Sequence, residues 1–192
     1  MYKVCIVTGA SRGLGRGIAK VLAEERSATV YATARSEAAL NDLASSIKGN
    51  TGVIHPVVLD QSDDSAVEKF ITTVAEKEGR IDLLVNSAYG GFKAMTPHFG
   101  KPFWERPISV FDASMNIGLR SAFVMSKFVA PHMVKNKCGL MVQVSSFGGH
   151  GYLFDVGYGV GKAGLDRLSA DMAAELTTHG VSSVTLYPGG AV

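Results

Sequence analysis

A short β-branched run that ends in a glycine-rich turn constrains this chain most. Lys3 to Thr8 reads KVCIVT, which suits a buried strand. It passes directly into Thr8-Gly9-Ala10-Ser11-Arg12-Gly13-Leu14-Gly15, after which Leu14, Ile18, Val21 and Leu22 recur at helical spacing. In a strand–turn–helix of this kind, glycines let the backbone turn sharply and approach a pyrophosphate. The helix N-terminus adds unpaired N–H groups and partial positive charge. A P-loop is excluded, because no Lys-Ser/Thr pair follows the glycines.

The same alternation continues. Thr29 to Thr33 reads as a second strand, and Glu37 to Ile47 as a helix ending before Gly49. Val53 to Leu59 is a third strand; Val67, Phe70, Ile71 and Val74 mark a helix closed by Gly79. Ile81 to Val85 is a fourth strand. Tyr89 to Pro107 is either an ordered lid or a loop. In it Met95, Phe99, Phe103 and Trp104 suit either an apolar substrate wall or a small satellite core. A long helix is expected from Ser109 to about Asn136, with a capping box at Ser109 and Asp112 and a kink at Pro131. Leu140 to Val144 is a fifth strand, Tyr158 to about Thr178 a helix stopped by Gly180, and Val181 to Tyr187 a sixth strand. Strands alternating with helices imply an α/β fold. The expected form is a Rossmann-type doubly wound parallel sheet in three α/β/α layers, one domain over residues 1–192.

Composition narrows the function classes. Hydrophobic residues make up 46% and charged residues 19%, a globular balance. The net charge of +2 comes without a basic run, so nucleic acid is not an expected partner. No apolar stretch reaches membrane-spanning length. Cys5 and Cys138 read as free thiols in the cytoplasm or another reducing compartment. His55, His98, His132, His150 and His179 lack metal-ligand spacing, so no metal is expected. There is no GxSxG nucleophile elbow, which removes a serine hydrolase reading.

Further motifs follow the glycine turn in order. Asn86-Ser87-Ala88-Tyr89-Gly90 succeeds strand four, Ser145-Ser146 strand five, and Pro188-Gly189 strand six; Tyr158-Gly159-Val160-Gly161-Lys162 opens the last helix. Together with TGASRGLG these resemble the short-chain dehydrogenase/reductase family along the whole chain. The resemblance implies hydride transfer between a nicotinamide cofactor and a carbonyl or secondary alcohol. The expected substrate is small and apolar: a ketone, an aldehyde or a steroid-like molecule.

It also implies the site. Ser146, Tyr158 and Lys162 are the expected catalytic residues. Gly9, Ser11, Arg12, Gly13, Leu14 and Gly15 would hold the cofactor from the first turn, and Arg35 and Asp60 from the next two strands. Asn86, Ala88, Pro188 and Gly189, with Tyr158 and Lys162, complete the set. Residues four apart on a helix share a face. An ammonium beside a phenol favours the phenolate, so such a pair can give or take a proton. Of the two serines, Ser146 fits the family's glycine spacing better, although Ser145 is nearer the usual separation from the tyrosine; only one can aim into the site. The family asparagine of the long helix falls on Gly118, with Asn116 two residues early and about 200° around a regular helix. Either that helix is distorted or the asparagine is absent.

Strand two ends in Ala34-Arg35-Ser36, with no acid to bind the ribose hydroxyls. Arg35, helped by Arg12, can grip a 2′-phosphate, so NADP(H) is expected over NAD(H). Family members usually continue past Pro188-Gly189 with a last strand and a substrate lid, and carry a threonine after PGxV. The chain therefore reads as C-terminally shortened, which leaves a non-catalytic NADP(H)-binding fragment as the alternative. The long helices leave homo-oligomer formation open, and a longer form leaves room for peripheral attachment to the endoplasmic reticulum.

Overall fold

The computed structural model describes residues 3–48 and 52–189. Its strands are β1 (Val4–Thr8), β2 (Thr29–Ala34), β3 (Val53–Val58), β4 (Leu83–Asn86), β5 (Gly139–Val144) and β6 (Val181–Leu186). They form one sheet in the order β3-β2-β1-β4-β5-β6, and every pairing is parallel. The order reverses between β1 and β4. Loops leaving the carboxyl ends there diverge and open a crevice.

Alternate residues of each strand face opposite layers. Cys5, Val7, Val30 and Ala32 pack against Ala19 and Ala23 of α1 (Gly13–Arg26) and Leu40 and Leu43 of α2 (Glu37–Ser45). Val4, Ile6, Tyr31 and Leu84 face α3 (Asp64–Glu78), whose Val67, Ile71 and Val74 are buried among them. Gly79 closes α3 with φ 69°, as its composition requires. Gly49, expected to follow α2, lies outside the described residues. On the α1 side of the sheet, Leu83, Leu140, Val142 and Leu186 line an apolar groove with Ile18 and Leu22.

The segment after β4 is ordered. It forms α4 (Gly91–Met95) and two short 3-10 turns, Thr96–His98 and Phe103–Glu105. The long helix expected from Ser109 is instead two helices, α5 (Ile108–Ser114) and α6 (Ser121–Asn136). A widened turn at Met115–Arg120 joins them, and Ile117 there leaves helical geometry (φ −107°, ψ 59°). The cause is tertiary: Gly90 N–H donates to the Ile117 carbonyl at 2.7 Å, drawing it out of the helical ladder. The helix runs through Pro131, and Ser109 lies inside α5, whose N-cap is Pro107. The last helix, α7 (Val156–Leu176), starts two residues before the expected Tyr158, capped by Asp155.

Candidate active site

The crevice is a cleft of about 790 Å³ at the carboxyl ends of the strands. That volume suits a large ligand. Gly9, Ser11, Arg12, Gly13, Leu14 and Gly15 line it after β1, Arg35 after β2 and Asp60 after β3. Ala88 lines it after β4, Ser146 after β5, and Pro188 and Gly189 after β6; Tyr158 and Lys162 enter from α7.

The glycines of the first turn are dictated by space and torsion. Gly9 has φ +67°, and a Cβ there would lie 2.7 Å from the Ala88 Cα. A Cβ on Gly15 would lie 2.6 Å from the Gly9 carbonyl oxygen. Thr8 Oγ1 ties the two turns together by accepting from Ser87 N at 3.0 Å and Ala88 N at 3.1 Å. The result is a bare backbone cradle at the N-terminus of α1, the surface a pyrophosphate requires. The cleft and this cradle fit a dinucleotide.

Asp60 is already engaged. Its Oδ1 accepts from Ser62 N at 2.9 Å and Ser62 Oγ at 2.7 Å, and these bonds hold its carboxyl below the usual range. It closes a turn, while Asp63 caps α3. For Asn86 the expected contact with the cofactor is through backbone groups, and its side chain lies elsewhere. It does not line the cleft; its amide turns into the α6 layer and donates to Ala122 O, Ser126 Oγ and Gln143 Oε1. As the last residue of β4 it follows the strand alternation, which sends its side chain to the face opposite Val85.

Around Tyr158 the polar groups converge. Its hydroxyl donates to Ser146 Oγ at 2.7 Å. Ser145 points elsewhere, donating to the Lys162 carbonyl at 3.2 Å. Lys162 Nζ donates to the Val144 carbonyl at 2.9 Å. It also lies 5.1 Å from the Tyr89 ring centre and 5.7 Å from that of Tyr158, within the range of cation–π attraction. Burial pulls the Lys162 ammonium down to about 8, against a smaller opposing pull from Asp166.

Tyr89 has no counterpart among the expected site residues. Its hydroxyl meets Ser114 Oγ at 2.9 Å, and burial pushes it up to about 12. A Cβ on Gly118 would stand 3.2 Å from its ring, so the missing side chain at 118 makes room for the tyrosine. Asn116 is exposed, and Ile117 lines the cleft beside it. Of the two uses open to the segment after β4, a substrate wall or a small core, Met95 takes the second, and the wall comes from other residues. Phe92 and Phe154 line the cleft, their rings 5.8 and 5.1 Å from Tyr158. Met95 is buried in a small core with Val110, whereas Phe103 and Trp104 meet edge to face and are exposed. The segment Asn86-Ser87-Ala88-Tyr89-Gly90 carries the one signal for Tyr89, a bulky residue among small neighbours.

Among the described residues, no group of three His, Cys, Asp or Glu side chains is placed to hold a metal. No helix there is long and apolar enough to cross a membrane.

The family described as short chain dehydrogenase matches residues 3–192. Dehydrogenase/reductase SDR family member 1 of Mus musculus is 48% identical over 188 residues, 97% of this chain and 60% of the mouse protein. The chain thus spans about 60% of the length of that relative. A metagenomic short-chain oxidoreductase solved in complex with NADP superposes with a TM-score of 0.86 at 32% identity, covering 98% of this chain and 82% of the other. An NAD+-bound xylitol dehydrogenase superposes with a TM-score of 0.87 at 26% identity, covering 97% and 69%.

Proposed function

The chain belongs to the short-chain dehydrogenase family of oxidoreductases, and from that premise we propose that it reduces a carbonyl, or oxidises the matching secondary alcohol, with NADP(H). The observation that carries this reading is the Tyr158–Ser146 hydrogen bond beside the buried Lys162 ammonium, inside the glycine-cradled cleft.

NADPH, when bound, supplies the hydride that reaches the carbonyl carbon. Gly9, Gly13 and Gly15 offer it backbone without side chains, and Lys162 has donors to offer its ribose. Ser146 Oγ donates to the substrate oxygen and orients it. Tyr158 then gives its hydroxyl proton to that oxygen as negative charge develops there. The Lys162 ammonium stabilises the phenolate left behind. In the reverse direction the phenolate takes the proton from the alcohol.

For the cofactor, the reading rests on Ala34 and Arg35. No acid at the end of β2 repels a 2′-phosphate, and Arg35 lines the cleft with Arg12. One NADP-bound and one NAD+-bound neighbour share the fold, so the residues at 34 and 35 carry the choice. For the substrate, Phe92, Phe154 and Ile117 make the wall beside Tyr158 apolar, which suits a small apolar ketone, aldehyde or steroid-like molecule. The test is titration with NADPH and NADH, followed by turnover on aliphatic, aryl and polycyclic ketones. Binding without turnover on any carbonyl would favour a non-catalytic nucleotide-binding protein.

A further inference from the structure

Arg106 stands at the end of the segment between α4 and α5 and reaches into the protein rather than into water. Its side chain is 7% exposed, and Nη1 lies 3.1 Å from Oδ2 of Asp155, itself 3% exposed. Arg106 Nε donates to the Lys101 carbonyl at 2.9 Å, which fixes the guanidinium to its own segment. The other oxygen of Asp155, Oδ1, accepts from the Tyr158 amide at 2.6 Å and so caps α7. Phe154, immediately before the cap, has φ 65°, an uncommon torsion for a bulky residue, held only where the surroundings over-determine it. One carboxylate thus joins the loop arginine to the backbone of the tyrosine that carries the proton.

The ring of Tyr158 is oriented by Phe92 and Phe154, but its backbone position is set by the cap. A carboxylate this deeply buried holds its charge only with a partner. Without the guanidinium, Asp155 Oδ2 is a buried oxygen with no cation beside it, and turning the carboxyl towards water to solvate it releases the Tyr158 amide.

We propose that Arg106 is a positioning residue for Tyr158, holding the Asp155 carboxylate in the orientation that caps α7 and so placing the phenol hydroxyl against Ser146. The inference rests on the reading of Tyr158 as the proton donor. A misplacement of about 1 Å at a reacting group can cost on the order of 10²-fold in rate, so a partial release should be visible in kcat.

The test uses the full-length protein and the ketone turned over fastest by the unsubstituted form. Arg106→Met should lower kcat by about tenfold, with NADPH affinity within about twofold, because the nucleotide cradle is built from other elements. Adding Asp155→Asn should restore most of kcat, since the amide oxygen still caps the Tyr158 N–H and no buried charge is left unpaired. Unchanged kcat in Arg106→Met, no rescue in the double variant, or a loss of NADPH affinity in step with kcat would each overturn the proposal. If Arg106→Met does not fold, the neutral pair Arg106→Met/Asp155→Asn is compared with Arg106→Met/Asp155→Ala. A lower kcat in the alanine pair at equal NADPH affinity supports the coupling, and equal kcat overturns it. Tyr158→Phe separates the two layers of inference: if that variant still turns over, the reading of Tyr158 fails whatever Arg106 does.

Discussion

The Tyr158 hydroxyl and Ser146 Oγ lie 2.7 Å apart, although one sits on a helix and the other on the turn after β5. The contact is made by the crossing of α7 over that turn, where a Cβ on Gly148 would strike the Tyr158 ring at 2.5 Å. On the proposed reading the Tyr158 phenol supplies the proton, while the nucleotide contacts are spread over the glycine turn. Tyr158→Phe should therefore lower carbonyl reduction by about 10²–10⁴-fold and leave NADPH binding largely intact. Fluorescence titration alongside single-turnover kinetics measures both, and near-normal turnover would remove Tyr158 from the mechanism.

Cofactor choice should be reversible by charge. Ala34 ends β2 and Arg35 lines the cleft beside it. Placing an acid at 34 and removing the guanidinium would repel a 2′-phosphate and accept from free ribose hydroxyls. The unsubstituted protein should bind NADPH more tightly than NADH, and Ala34→Asp with Arg35→Ile should flatten or invert that ratio. Equal affinities before substitution would sink this account of β2.

Lys162 should cost stability. Burial lowers it from 10.5 to about 8, so between those values the unfolded chain binds the proton more tightly than the folded one. Stability contributed by this group is full above pH 10.5 and is lost as pH falls through about 8. At neutral pH the buried ammonium is thus a penalty on the order of 3 kcal/mol. Lys162→Met should raise the midpoint of thermal unfolding at pH 7 and remove turnover. The stability difference should shrink as pH rises towards 10. A variant less stable at pH 7 would show that the Val144 bond and the two aromatic faces outweigh desolvation.

Much of this architecture was legible because it is local. The β1 turn, the apolar strand runs and the four-residue Tyr158–Lys162 spacing each occupy a short stretch, and torsion and space leave few other uses for Gly9 and Gly15. The features that escaped are made by contacts distant in sequence. The apolar pattern from Ser109 to Asn136 does not place the break at Ile117; the offset between Asn116 and Gly118 left a distorted helix open, but the donor that pulls out the carbonyl, Gly90, is distant in sequence. Asn86 belongs to a site motif, yet its side chain serves the α6 layer. The Arg106–Asp155 pair is invisible as spacing, because each residue alone reads as an ordinary loop charge.

Three glycines of the first turn and helix give a graded test of the nucleotide cradle. Gly9 combines φ +67° with a Cβ position 2.7 Å from backbone at Ala88. Gly9→Ala must therefore push apart the turns after β1 and β4, in addition to adopting a left-handed torsion. Gly13 has φ +56° but open space around its Cβ position; Gly13→Ala should cost only the torsion, about 1–2 kcal/mol. Gly17 lies inside α1 with nothing near its Cβ position. Gly17→Ala should stabilise by about 0.5–1 kcal/mol, because alanine loses less backbone entropy on entering a helix. Thermal unfolding with and without NADPH should rank the variants Gly17→Ala, Gly13→Ala, Gly9→Ala from most to least stable. The increment on adding NADPH should survive in Gly17→Ala and vanish in Gly9→Ala. A Gly9→Ala protein that gains as much from NADPH as the unsubstituted one would show that the cofactor does not lie against this turn.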